Sequence, residues 1–256
     1  MKKSKLPEIA AVGADQWGMV STAQATAVGA DARTLARLAA MGELERLAHG
    51  IYRLAGSPPG PGDDLRAAWI GLDPRRTAAD RIAAGPTEFV SHRSAAVLHG
   101  FGDLDADQLE FTTSVRRQSR RPDVRIHRGM IGSDEWTLVD GLPATTALRT
   151  IQDLAAAHVD RGHLAAVVRD ALLQHNLPVE RVAAALAPAA RAYGVTAGDG
   201  NHLVGLLISE VGIPKTTLDV AQISLAFADS AGSSDTVTVA RPAVQQGLSQ
   251  DVAHDR

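Results

Sequence analysis

The chain has 256 residues, enough for one large or two moderate domains on a scale of about 100–200 residues per domain. Its 45% hydrophobic and 21% charged residues are those of a soluble globular protein, and the absence of cysteine excludes disulfides, thiolate metal sites and cysteine nucleophiles. The net charge of -3 is uneven: through Arg128 there are 18 Lys and Arg against 15 Asp and Glu, and beyond it 8 against 14, which makes the first half the candidate anion-binding half.

Lys2, Lys3 and Lys5 imitate the start of a signal peptide, but Glu8 and Asp15 interrupt the stretch behind them and no run of 18 apolar residues occurs, so a cytoplasmic protein is expected, with no membrane partner. Leu6, Ile9, Ala10 and Gly13 recur at helical spacing and predict a first helix. "STAQATAVG" predicts a second, with Ser21 as N-cap and Gly29 as stop. Asp31 caps a third that runs to Met41 and is closed by Gly42. On it Ala32, Leu35, Leu38 and Ala39 form an apolar face, while Arg33, Ala36, Arg37 and Ala40 line the other. Methyl groups between two long cations let a helix backbone approach a DNA groove, where Arg donates bidentately to guanine O6 and N7.

After Gly42, "ELERL" and "GIYRL" alternate around "AHG" and predict a β-hairpin. Leu44, Leu47, Ile51 and Leu54 supply its apolar contacts, with Arg46, His49 and Arg53 outside. Three helices and a hairpin, the last helix basic, are the order of a winged helix-turn-helix, whose third helix enters the major groove while the wing touches backbone or minor groove. The expected DNA-binding set is Ser21, Thr22, Gln24, Arg33, Thr34, Arg37, Arg46, His49 and Arg53. The bland alternative is a small packing module whose arginines are only solvated.

"GSPPGPG" at residues 56–62 cannot continue a helix or central strand, so it closes a module over 1–55 and isolates it as a linker. A larger α/β domain is expected over 63–214, and 215–256 reads as a poorly ordered tail. The overall expectation is an α+β fold: an N-terminal winged helix-turn-helix, then a mixed α/β domain with a helical C-terminal half and a flexible tail.

"SHRSAAVLHG" predicts a short helix with Ser91 as N-cap and Gly100 as stop. His92 and His99, seven apart, invite a metal reading, but no Cys or carboxylate stands at ligand spacing, so structural histidines are expected and no metal is assigned. "QLEFTTSV" and "VRIHRGMI" are strand-like, separated by a loop with Arg116, Arg117, Arg120 and Arg121. That loop is read as phosphate-contacting, partner-contacting or merely solvated. "TTALRTIQDLAAA", "RGHLAAVVRDALLQHNL" and "PVERVAAALAPAARAYG" read as helices, with Thr146 as an N-cap and Pro178 at a helix start.

"WGMVSTAQATAVGADARTLARLAAMGELERLAHGIYRL" resembles the N-terminal winged-helix domain of the AbiEi family of antitoxins. "FVSHRSAAVLHGF", "RIHRGMI" and "GLPATTALRTIQDLA" resemble segments that come after it in the family, so the similarity spans roughly residues 15–195. The resemblance implies a transcriptional autorepressor that binds promoter DNA, expected as inverted repeats. Its second domain would counteract a nucleotidyltransferase-like toxin, directly or indirectly.

No catalytic constellation emerges and no cofactor is expected. The four lysines, Lys2, Lys3, Lys5 and Lys215, complete no Asp/Glu-x-Lys nuclease element. "DLDAD" at 103–107 has Asp-x-Asp spacing without the upstream Gly-Ser helix start that grips a triphosphate, so a solvated acidic turn is expected. Two further readings stay open: a single-component regulator whose second domain binds a small ligand, and a DNA-modifying enzyme acting through Asp103 or Asp105.

Overall fold

The computed structural model describes residues 4–119 and 121–212. Arg120 and the expected tail from residue 215 lie outside them. The fold is α+β and is organised by two sheets. In the first, β1 (Met19–Ser21), β2 (Leu44–Ala48) and β3 (Ile51–Leu54) are antiparallel in the order β1-β3-β2. With α1 (Leu6–Ala14), α2 (Thr22–Ala27) and α3 (Ala32–Ala40) they keep the chain order of a winged helix-turn-helix.

Local chemistry sets these boundaries. The Ser21 side chain accepts from Gln24 N while Gln24 returns a bond to the Ser21 N–H, a complete capping box at the start of α2. Asp31 accepts from Thr34 N at 2.8 Å and starts α3. Leu35 and Leu38 then turn inward to pack with Ile9, Val20, Ala25 and Leu44. Ala32, expected on that apolar face, is exposed.

The second sheet comprises β4 (Glu88–Val90), β5 (Leu109–Thr113), β6 (Val124–Arg128), β7 (Trp136–Val139) and β8 (Leu142–Thr145), in the order β6-β5-β4-β8-β7. β5 and β6 run parallel, as do β4 and β8, while the remaining neighbours are antiparallel. On one face Val90, Phe111, Leu142 and Ala144 join Trp69 and Ile70 of α4 (Asp63–Leu72) and Ala78 of α5 (Ala78–Ala83) in one core. On the other, Thr112 bonds Ser91, just before α6 (His92–His99), and Thr145 bonds Thr150 of α7 (Ala147–Ala156). Behind α7, α8 (Arg161–Gln174), α9 (Val179–Leu186) and α10 (Gly200–Glu210) share a second core around Leu154, Leu164, Leu186, Leu203 and Leu207. The helix expected across 178–194 divides, because Pro188 has no N–H to continue the ladder and the chain tightens into a 3-10 helix, Ala187–Tyr193.

The Pro/Gly segment turns the chain without parting its cores, contrary to the expected isolation of residues 1–55. Met19 and Ile51 of the first sheet are buried in the same cluster as Leu65, Trp69 and Phe111. Gln24 Nε2 donates to Arg76 O at 2.8 Å, Ala78 N donates to Gln16 Oε1 at 3.1 Å, and Trp17 Nε1 donates to Asp140 O at 3.2 Å. The seam also fixes a glycine: Gly141 has φ +80°, and a Cβ there would lie 3.2 Å from Trp17 Nε1.

Candidate nucleic-acid interface

The outer face of α3 carries Arg33, Ala36, Arg37 and Ala40, all exposed, as the helical spacing requires once Leu35 and Leu38 are buried. Arg37 Nη1 lies 3.4 Å from Met41 Sδ, so the cation rests beside an exposed thioether at the end of the helix. Thr34 is half-buried. On the wing Arg46 and His49 are exposed and adjacent, with Arg46 Nη2 3.3 Å from His49 Nδ1. Gly50 O, at the wing turn, accepts from the Thr22 N–H at 2.8 Å and its hydroxyl at 3.3 Å, which seats the wing against the start of α2. No salt bridge to a described residue engages Arg33, Arg37 or Arg46. Among the described residues the arrangement is therefore a positive surface whose cations have no carboxylate to satisfy.

Three residues of the expected set face inward instead. Ser21 and Gln24 are buried, and besides capping α2 they reach the second region, Ser21 Oγ donating to Pro74 O and Gln24 to Arg76 O. Arg53, expected outside, is 6% exposed. The cause is strand alternation, which puts Arg53 on the Ile51 face of β3, together with α4, which covers the sheet face that a free-standing wing would leave open. Arg53 shares the Ile51 side of β3, where its Nη1 donates to Asp63 Oδ2 at 2.5 Å and its Nη2 to Glu45. The Glu45 hydrogen bond raises its pKa further and outweighs the cost of burial.

The arginine loop is likewise divided. Arg116 is exposed, but Arg117 Nη1 donates to Leu72 O at 2.7 Å and lies 2.9 Å from Glu88 Oε1, and Arg121 Nε donates to Asp123 Oδ1 at 3.1 Å. These pairings neutralise much of what the sequence presents as one basic cluster.

His92 and His99 do not share a site. His99 Nε2 bonds Thr145 O at 2.7 Å and its ring stacks on Phe101. Burial is the main reason its pKa is lowered, with the Thr145 bond opposing. His92 stacks instead on His127, and burial, then that neighbouring imidazole, pushes its pKa down to about 4. Ser91 stands at the N-cap position of α6 without capping it, because its hydroxyl is engaged by Thr112 and His92. Glu110 Oε2 takes the helix-end role, accepting from Arg93 N at 3.0 Å. Sequence reasoning missed Glu110 and His127, which meet His92 only through the pairing of β5 with β6. The available signal was the polar alternation in "LEFTT" and "VRIHR", which marks an inward polar stripe. The aspartates of 103–107 are exposed.

Three helices, a wing and an outward basic helix have the layout of a winged helix-turn-helix. Residues 8–55 match the family described as "Transcriptional regulator, AbiEi antitoxin", a match that stops beside the end of β3. No curated protein matches the chain. Among solved structures it is similar to one titled "Crystal structure of RV2827C protein from Mycobacterium tuberculosis", at 15% identity and a TM-score of 0.49, covering 84% of this chain and 79% of that one. No helix among the described residues is long and apolar enough to cross a membrane.

Proposed function

We propose that the chain is a cytoplasmic, non-enzymatic DNA-binding antitoxin that represses its own toxin–antitoxin operon. In this reading residues 1–55 read the promoter as inverted repeats, and the domain over 63–214 counteracts a nucleotidyltransferase-like toxin. The observation that carries it is the exposed Arg33/Arg37 face of α3 within the segment matched to an AbiEi regulator. Arg33, Arg37 and Thr34 are assigned to the major groove, with Thr22, Arg46 and His49 beside the phosphates. Arg116 is retained as a further phosphate or partner contact, and Arg117 and Arg121 contribute only by opening their internal pairs.

The test compares the parent with Arg33→Ala/Arg37→Ala on its own promoter and on a scrambled duplex at fixed salt. Each bidentate Arg–guanine pair contributes about 1–3 kcal/mol of discrimination, roughly 5- to 150-fold in affinity, so promoter binding should fall steeply and scrambled binding less. The double variant should still rescue cells from the toxin encoded beside it. Unchanged promoter affinity in the folded variant refutes the readout helix. Loss of rescue refutes the assignment of neutralisation to the second region.

A further inference from the structure

On the α6 side of the second sheet, the parallel pairing of β5 with β6 sets Glu110 opposite Arg125 and Thr112 opposite His127. α6 begins above them with His92. The His92 and His127 rings stack with centroids 3.6 Å apart and planes within 13°. His92, Glu110 and His127 each offer one ligand atom, and these three atoms lie within 4.8 Å of one another.

Packing alone does not account for three features of this cluster. His92 has φ +53°, a left-handed conformation that costs a non-glycine residue about 1–2 kcal/mol. His127 Nε2 is buried, and among the described residues it has only a long ion-pair contact, to Glu110 Oε1 at 3.5 Å, in place of a well-formed hydrogen bond. A cavity of about 380 Å³ lined by all three side chains opens beside them.

We propose that His92, Glu110 and His127 form a binding site for a first-row divalent transition-metal ion of the Zn2+ class, with its open coordination positions facing this cavity. Two imidazoles and one carboxylate suit such ions, whereas Mg2+ and Ca2+ call for oxygen ligands throughout. Tetrahedral coordination at metal–ligand distances of about 2.0–2.2 Å needs ligand atoms roughly 3.4 Å apart and the ion in the plane of each ring, so binding requires the His92 and His127 rings to rotate out of their stack toward the cavity. The surrounding bonds already orient the ligands. Ser91 Oγ holds His92 Nδ1 at 2.9 Å and leaves Nε2 for the ion. The Arg93 N–H holds Glu110 Oε2 and leaves Oε1 on the His127 side.

The experiment titrates the chelator-treated full chain with Co2+, monitored by visible absorption, and repeats it with Zn2+ in competition and by equilibrium dialysis. One ion per chain is expected, with the absorption of a low-coordinate nitrogen and oxygen site and a higher melting temperature when the ion is bound. Losing an outer-shell partner usually weakens metal affinity 10- to 100-fold, so His92→Ala, His127→Ala and Glu110→Gln should each lose at least about that much. Glu110→Gln keeps an acceptor for the Arg93 N–H and so preserves the start of α6, which separates loss of a ligand from loss of fold. His158→Ala, at the cavity rim, should bind as the parent does. Absence of saturable uptake, or uptake unchanged in folded His127→Ala and Glu110→Gln, overturns the proposal. So does loss confined to His158→Ala.

Discussion

Arg37 and Arg81 are the same residue in opposite circumstances. Arg37 stands on the outer face of α3, exposed and beside a methionine. Arg81 is 2% exposed: its guanidinium lies 3.4 Å from the Trp69 ring centroid, Nη1 donates to Trp69 O at 2.7 Å, and Nη2 meets Glu88 Oε2 at 2.9 Å. The contrast extends across the molecule. Arg53, Arg81 and Arg149 each sit against one or two carboxylates where elements pack, whereas Arg33, Arg37 and Arg46 have none among the described residues. A buried guanidinium requires a partner because desolvation is costly, while an exposed one without a partner keeps its donors for an outside anion. Charge counts along the chain cannot separate the two groups; the partners do.

The largest expected effect sharpens this contrast. Arg81→Ala strands Glu88 in a 5% exposed site with Arg117 as its remaining cation, and breaking a buried pair from one side costs about 3–5 kcal/mol. Arg33→Ala and Arg37→Ala should each stay within about 0.5 kcal/mol of the parent. Urea denaturation of the three variants checks the difference. Equal losses would mean that the α3 arginines are structural.

The seam should show an intermediate effect. Gln24→Ala removes the acceptor of the buried Ser21 N–H, while Gln16 Nε2 keeps Met19 O and Arg76 O is only part-buried, so one buried group is left unsatisfied at a cost of about 1–3 kcal/mol. Because Met19, Ile51, Trp69 and Phe111 share one core, the variant should still melt in one transition at lower temperature. Two separate transitions would show that residues 1–55 and the rest fold as independent units.

Arg46→Ala should have a smaller effect and no influence on stability. As a phosphate contact it should weaken specific and non-specific DNA binding alike and reduce the salt slope by about 0.9. An unchanged slope would remove the wing arginine from the interface.

The parts of this fold legible in the sequence are those governed by local chemistry. Ser21, Asp31 and Thr146 accept from the backbone of the helices that their side chains predict them to start, and Gly100 closes α6 with φ +76°. The winged-helix order rests on the same signals. Arg53 escapes them because strand alternation gives two faces but not what covers them, and α4 arrives only after the linker. β1 is too short to recognise without its partner β3. The His92, Glu110 and His127 cluster draws on three elements, so no spacing along the chain could announce it.

The smallest effect concerns an enclosed carboxylate and depends on pH. Asp170 Oδ2 accepts from Gly102 N at 2.7 Å, and Oδ1 accepts from Arg169 Nε at 2.7 Å, tying α8 to the turn after α6. Burial raises the carboxyl pKa, but the Arg169 bond and then the Gly102 bond lower it more, and the net direction is below the ordinary 3.8. A carboxylate lowered in the fold contributes stability that is complete above its unfolded value and fades as pH falls through its folded one. Asp170→Asn keeps an acceptor for Gly102 but loses the charge, a change of about 1 kcal/mol between a charged and a neutral hydrogen bond. The deficit should be constant from neutral pH to about pH 5 and shrink below the ordinary carboxyl value, as both proteins come to present an uncharged group. Urea denaturation at neutral, mildly acidic and strongly acidic pH tests it. A deficit that persists undiminished at the acid end would place the Asp170 contribution in shape rather than charge, and would remove it from the class of enclosed, paired charges to which Arg81 belongs.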